Sequence, residues 1–218
     1  MIPPEGCQPV PFASCKWCVL LVALLLFSFC FPLDNLVFTG LIPISNTKVA
    51  TLWAHLADTF GNGLILVPFA FLLGFTLPLS HRGSRRYVFT SLLKAFCLTG
   101  IFVPFIKFAI GRPRPGAGLD SWQISPFSSE NDFHSFPSGH TAAVFSMALL
   151  LSFHFPRLRW VWFAFALFVG LGRLVGQSHY LTDILGGVLV AILAVRIGLS
   201  QCKMHHFVLP RWFHVSNR

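Results

Sequence analysis

Three cations and two imidazoles, Lys107, Arg114, Arg173, His140 and His179, stand out in a chain of 218 residues that is 55% hydrophobic and only 11% charged. The chemistry they suit is phosphoryl transfer, where negative charge spreads over three equatorial oxygens and most of the rate enhancement comes from positioning and electrostatic stabilisation. Arg114 and Arg173 can each offer a planar, bidentate fork to a phosphate, and Lys107 a compact point charge. Pro137, Ser138, Gly139 and His140 run directly into an apolar stretch, which reads as a helix start. Ser138 and Gly139 then lie where free N–H groups and the positive dipole end attract an anion.

His179 and Asp183 are four positions apart, which puts them on one face of a helix that includes both. A carboxylate on Nδ1–H fixes the tautomer and leaves Nε2 free to attack phosphorus, as a carboxylate orients the histidine of a hydrolytic triad. His140 sits in different company and can protonate the departing oxygen. Taken singly, each of these charged residues could equally anchor a helix end at a membrane interface. The joint pattern is what favours chemistry.

The elements that must position these groups are membrane spans. Mean hydropathy is +0.70, and apolar runs at 17–32, 63–79, 88–106, 141–155, 160–175 and 184–199 predict six transmembrane helices. The expected fold is therefore an all-α integral membrane protein, one domain over 1–218, with both termini on the same side. Segment 41–60 carries Lys48, His55 and Asp58, and predicts an interfacial helix or loop. Lys16, Arg82, Arg85, Arg86, Arg157, Arg159, Lys203, Arg211 and Arg218 fall on one side, which the positive-inside rule makes cytoplasmic. The opposite connections carry Asp34, Asp58, Asp120, Glu130, Asp132 and Asp183, with Lys48, Lys107, Arg112, Arg114 and Arg173 as basic exceptions. Spans that descend from His140 and climb back to Arg173 return the polar clusters to one depth, so a helical-bundle site at the outer face follows. The long connection 111–137 is the natural place for functional loop residues.

The net charge of +9 is scattered between apolar runs, which argues against a nucleic-acid stripe. The six cysteines lie in or beside apolar runs or on the expected cytoplasmic side, which argues against a disulfide framework. Cys15 and Cys18 form a lone C-x-x-C pair without the partners of a zinc site, and no metal site is expected. His134 precedes the helix start and reads as a loop or rim residue; Arg112 reads as a support of the site or a lipid-headgroup contact. His55, His81, His154, His205, His206 and His214 read as interfacial or cytoplasmic, and Trp53, Trp160, Trp162 and Trp212 as lipid-facing or belt residues.

The arrangement of Lys107, six residues, Arg114-Pro115, then Pro137-Ser138-Gly139-His140, then Arg173, five residues, His179, three residues and Asp183 resembles the three-part signature of the type-2 phosphatidic acid phosphatase family. Gly172 stands before Arg173 where that family commonly has Ser. The resemblance covers 107–187, and the six-span layout is similar to the family's membrane branch. It implies a metal-independent, cofactor-free route through a phosphohistidine at His179, with His140 as acid, Asp183 as orienter, and Lys107, Arg114, Ser138, Gly139 and Arg173 holding phosphate.

The function expected is hydrolysis of a phosphate monoester or diphosphate on a membrane lipid, with lipid A, undecaprenyl diphosphate, phosphatidylglycerophosphate and phosphatidate as candidates. The alternatives are lipid-to-lipid phosphotransfer at the same site, and an anion or lipid transporter that would need no histidine nucleophile. A soluble vanadium haloperoxidase shares the oxyanion cradle but not the spans. The bilayer and the lipid phosphate are the expected partners, and a bacterial inner membrane with the site facing the periplasm is the expected location.

Overall fold

The computed structural model describes residues 32–76 and 85–199; the expected first span, but for its last residue, lies outside them. Among the described residues there are seven α-helices: α1 Leu33–Ser45, α2 Lys48–Gly61, α3 Gly63–Thr76, α4 Arg85–Ile110, α5 Gly139–His154, α6 Arg159–Val175 and α7 Leu181–Leu199. Short 3-10 turns stand at Pro115–Ala117, Asn131–Phe133 and Pro156–Leu158. The described residues of the other five expected spans are helical, but for Phe155 at the end of one of them. Three helices, α4, α6 with its preceding turn, and α7, are long and apolar enough to cross a membrane, and α2 with α3 makes a fourth if the pair, bent by 64°, is one span. At 1.5 Å per residue the 26 residues of α4 extend ~39 Å, ample for a hydrocarbon core of ~30 Å.

α5 has 16 residues, fewer than a lone span needs, and the reason is its place. Thr141, Ala142, Val144, Ser146, Met147, Ala148, Leu150 and Leu151 are buried, so the helix is covered on nearly all sides and is the centre of the bundle. α4, α6 and α7 surround it, bringing Leu92 and Ala95, Ala166 and Val169, and Val195 and Leu199 into one core. The outer faces are apolar too: Leu93, Ile101 and Phe105 of α4 are exposed, as bilayer-facing side chains are. Polar pairs join the helices inside. Thr99 Oγ1 meets Ser146 Oγ at 3.0 Å, and Ser91 Oγ meets His154 Nε2 at 3.0 Å. His154 is therefore a buried interhelical partner and not an interfacial residue, and Trp162 is likewise buried instead of lipid-facing.

Segment 41–60 forms the end of α1 and most of α2. Thr47 caps α2 by accepting the Ala50 N–H, and Asn62 at the bend accepts from Leu64 N and Ile65 N, which starts α3 in its new direction.

The loop between α4 and α5 is pinned to itself. Ser125 N donates to Gly111 O at 2.7 Å and Phe127 N to Phe108 O at 2.7 Å. Ser135 N donates to Arg112 O at 3.0 Å and Arg114 N to Asp132 O at 2.7 Å. Gly111 makes this fold-back possible: its φ is +62, and a Cβ there would lie 1.7 Å from Ser125 O. Gly111→Ala should cost about 1–3 kcal/mol or more and release the loop, read as a lower melting temperature and faster proteolysis within 111–138.

Candidate active site

The site is built where α5, α6 and α7 begin or end at one face of the bundle, with the 111–138 loop closing over it. The turn after α6 runs through Gly176, Gln177 and Ser178 to His179, and α7 starts only at Leu181. His179 thus precedes the helix that carries Asp183, so shared helical phase does not join them. Tyr180 N–H donates to Asp183 Oδ2 at 2.9 Å and folds the turn back, which leaves His179 Nδ1 3.4 Å from the same oxygen. Both side chains are buried.

Asp183 is among the most constrained groups in the molecule. Ser135 Oγ donates to Oδ2 at 2.5 Å, and Arg112 Nη1 donates to Oδ1 at 2.7 Å. Arg112 also reaches Thr182 Oγ1 at 2.6 Å, and its Nη2 donates to Asp34 Oδ2 at 2.7 Å. Thr182 N donates to Asp34 Oδ1 at 3.0 Å, and the Thr182 hydroxyl donates to Asp34 Oδ2. The guanidinium carbon lies 4.4 Å from the centre of the Tyr180 ring. Arg112 is only 2% exposed, so it is a support of the site and not a headgroup contact. Asp34, Ser135 and Thr182 were not anticipated as members of the site.

The cations converge from three elements. Lys107, in the last turn of α4, donates to the carbonyls of His134 and Ser135. Arg114 Nε donates to Asn131 O at 3.2 Å. Arg173, in the last turn of α6, pairs with Asp58 of α2, while its Nε is buried without a partner among the described residues. Lys107, Arg114 and Arg173 lie close enough to feel one another's charge. His134 stays in the loop, with its ring against Ser128 O at 2.9 Å. Its contribution to the site is the backbone carbonyl that holds Lys107.

Ser138 caps α5: its hydroxyl accepts from Thr141 N at 3.5 Å and from the Thr141 hydroxyl at 3.0 Å. Its own N–H donates to Asp183 O at 2.9 Å, which ties the start of α5 to α7. Gly139 and His140 are the first residues of α5. His140 Nε2 lies 3.4 Å from Asp58 Oδ1, so one carboxylate faces both His140 and Arg173. Gly61 permits this approach, since a Cβ there would come within 2.8 Å of His140 Cδ2. Asp58 was seen in the sequence only as an outer acidic residue, and nothing in its local pattern marks it as a partner of Arg173.

Burial drives the His179 imidazole down from its usual 6.5 to about 4. The adjacent Asp183 opposes the shift, and the positive charges of Lys107 and Arg114 add to it. The ring is neutral at physiological pH, as a nucleophile must be. Between pH 6.5 and about 4 the unfolded chain binds a proton that folded His179 refuses, so this group lowers stability as pH falls through that window. Among the rings of histidine-labelled protein in detergent that NMR shows still neutral at pH 5.5, one should be lost in His179→Ala. In addition, Arg112→Ala strands two buried carboxylates and should cost about 3–5 kcal/mol, measurable by denaturant titration in detergent.

The PAP2 superfamily model matches residues 88–206. A lipid A 1-phosphatase of Rhizobium etli is 30% identical over 166 residues, which are 66% of this chain and 72% of the relative. In fold, the chain is similar to Aquifex aeolicus LpxE, with a TM-score of 0.61 at 24% identity over 77% of this chain and 95% of that one. It is also similar to a transmembrane PAP2 type phosphatidylglycerolphosphate phosphatase from Bacillus subtilis, with a TM-score of 0.58 at 21% identity over 86% and 96% of the two chains. With its apolar helices and a family match that spans more than half its length, this integral membrane protein belongs to the PAP2 superfamily.

Proposed function

We propose that the whole chain acts as one membrane phosphatase domain that hydrolyses a phosphate monoester or diphosphate carried by a lipid. The observation that carries this reading is the buried, neutral His179, its Nδ1 facing at 3.4 Å an Asp183 that Arg112, Ser135 and the Tyr180 N–H have already fixed in place. A histidine so held beside Lys107, Arg114 and Arg173 has the surroundings of a nucleophile toward an anion that three cations hold.

In the first step Nε2 of His179 attacks phosphorus and the bond from phosphorus to the lipid oxygen breaks. Lys107, Arg114 and Arg173 stabilise the equatorial oxygens, and the N–H groups of Gly139 and His140, which follow the Ser138 cap in the first turn of α5, add donors. Asp183 faces Nδ1 and stabilises the imidazolium that forms as Nε2 takes the phosphoryl group. Burial and the positive charge of Arg173 push the His140 imidazole down to about 4; the negative charge of the incoming phosphate raises it again, and the protonated ring gives its proton to the leaving oxygen. In the second step water attacks the phosphohistidine, His140 takes the water's proton, and inorganic phosphate departs with His179 restored. No metal is needed on this route, because fixed cations supply the charge that a metal would.

The lipid part of the substrate would remain in the bilayer while its phosphate enters at the face where α5 begins. The proposed setting is a bacterial inner membrane, with six spans, both termini cytoplasmic and the site toward the periplasm. The lipid A 1-phosphatase relative makes lipid A the first substrate to try.

Purified protein with EDTA present should release phosphate from at least one of lipid A, undecaprenyl diphosphate, phosphatidylglycerophosphate and phosphatidate. His179→Ala should reduce kcat by a factor of about 10³ or more, and His140→Ala by about 10²–10⁴. Full activity in a folded His179→Ala protein would overturn the mechanism; phosphate that appears on a second lipid instead of in water would reassign the acceptor.

A further inference from the structure

Beside the phosphate cluster lies a cavity of about 430 Å³ that none of the roles above uses. It is bounded by the α1–α2 turn, by α2 and by the turn between α6 and α7, and Asp58 and Arg173 form part of its wall. The rest of the lining is rich in uncharged hydrogen-bonding groups: Asn46, His55, Gln177 and Ser178. Asn46 and His55 are exposed at the rim of this space, and Gln177 Nε2 is buried without a hydrogen-bond partner among the described residues. Gln177 is held at φ +52, a backbone conformation that non-glycine residues rarely adopt, which sets its side chain at a defined place in the wall. Amide, hydroxyl and imidazole groups around one open, mostly polar space are what a ligand with several hydroxyls can engage. An acyl or prenyl chain would leave them unpaired.

The position of the cavity says which part of a substrate it meets. Asp58 joins the two sites, since the carboxylate in the cavity wall also faces His140 Nε2 at 3.4 Å. On the proposed mechanism His140 protonates the leaving oxygen, so whatever carries that oxygen departs toward Asp58. A neutral polyol fits that end. The Arg173 side chain and the Asp58 carboxylate, both in the wall, then stand at the border between phosphate and polyol.

We propose that this cavity seats the hydroxyl-bearing part of the lipid headgroup, a sugar or glycerol unit attached to the phosphate, and so selects phosphate on a hydroxylated headgroup over phosphate on a bare lipid alcohol. The inference rests on the phosphatase reading for its orientation but is testable apart from it. The first measurement is binding, by calorimetry on detergent-solubilised full chain, of glucosamine 1-phosphate, glycerol 1-phosphate and inorganic phosphate. Wild type should bind at least one of the two organic phosphates more tightly than inorganic phosphate, and which one identifies sugar or glycerol as the occupant.

Asn46→Ala and Gln177→Asn, the latter chosen because Asn tolerates positive φ, should each shrink that advantage by about 3- to 10-fold, the effect of one neutral hydrogen bond. Equal binding of all three ligands by wild type would overturn the proposal, as would an advantage that both variants keep in full. The second measurement is turnover. In the same variants the ratio of kcat/KM for lipid A or phosphatidylglycerophosphate over that for phosphatidate should fall by a similar factor. If wild type turns over none of these lipids yet retains the binding preference, the phosphatase reading fails while the cavity assignment stands.

Discussion

A single buried guanidinium organises the active face. Arg112 stands between two carboxylates that come from opposite ends of the chain, Asp34 in the first turn of α1 and Asp183 in the first turn of α7. Without it, two negative charges would share a nearly dry space, at a cost of about 3–5 kcal/mol, a large part of the stability of an ordinary domain. With it, α1 is fastened across the start of α7, the 111–138 loop is anchored at its N-terminal end, and the Asp183 carboxylate cannot turn. Each of these depends on the planar fork of an arginine. A lysine would offer one charge but not the set of directed bonds to Asp34, Thr182 and Asp183.

The opposite electrostatic difficulty lies on the other side of His179. Lys107, Arg114 and Arg173 repel one another, and the fold meets this with groups of different strength. Neutral carbonyls at His134, Ser135 and Asn131 hold Lys107 and Arg114. A full carboxylate, Asp58, holds Arg173 alone. The distinction is useful: carbonyls leave the positive charge available to an anion, whereas a carboxylate neutralises it until something takes its place. Asp58 is also the more exposed partner, with 55% of its side chain open against 10% for Arg173. It is the one component of this electrostatic arrangement with room to give way.

How much of this was legible in the sequence follows from distance along the chain. Lys107, Arg114, Ser138, His140, Arg173, His179 and Asp183 stood out because alternating helices must return them to one depth, and no knowledge of packing is needed for that. The helices themselves were visible as apolar runs, except α1, whose mixed composition gave no strong signal, and α2, whose Lys48, His55 and Asp58 made 41–60 read as an interfacial helix or loop. Asp34 and Asp58 were not legible as partners. Each meets its arginine across 78 and 115 residues respectively, and an acid in an outer connection otherwise reads as solvated. One clue did exist: Arg112 lay on the side that should be poor in basic residues, and an arginine out of place in a membrane protein calls for a buried acid. The pairing of His179 with Asp183 was expected for a partly mistaken reason. The helix begins too late to set their phase, and the turn closed by the Tyr180 N–H does so instead.

The Asp58 clamp bears on a difficulty peculiar to a phosphatase that lives in a bilayer. On the proposed function, its site is bathed in structural phospholipids, whose headgroups are phosphodiesters with a single negative charge on the phosphate. Asp58 already offers Arg173 and His140 a single negative charge, and it is tethered, so its effective concentration is far above that of a freely diffusing competitor. A diester brings no electrostatic advantage with which to displace it. A monoester or terminal diphosphate carries close to two charges and more acceptor oxygens near neutral pH. On that function the carboxylate would act as a threshold, against which a membrane phosphodiester has no advantage of charge.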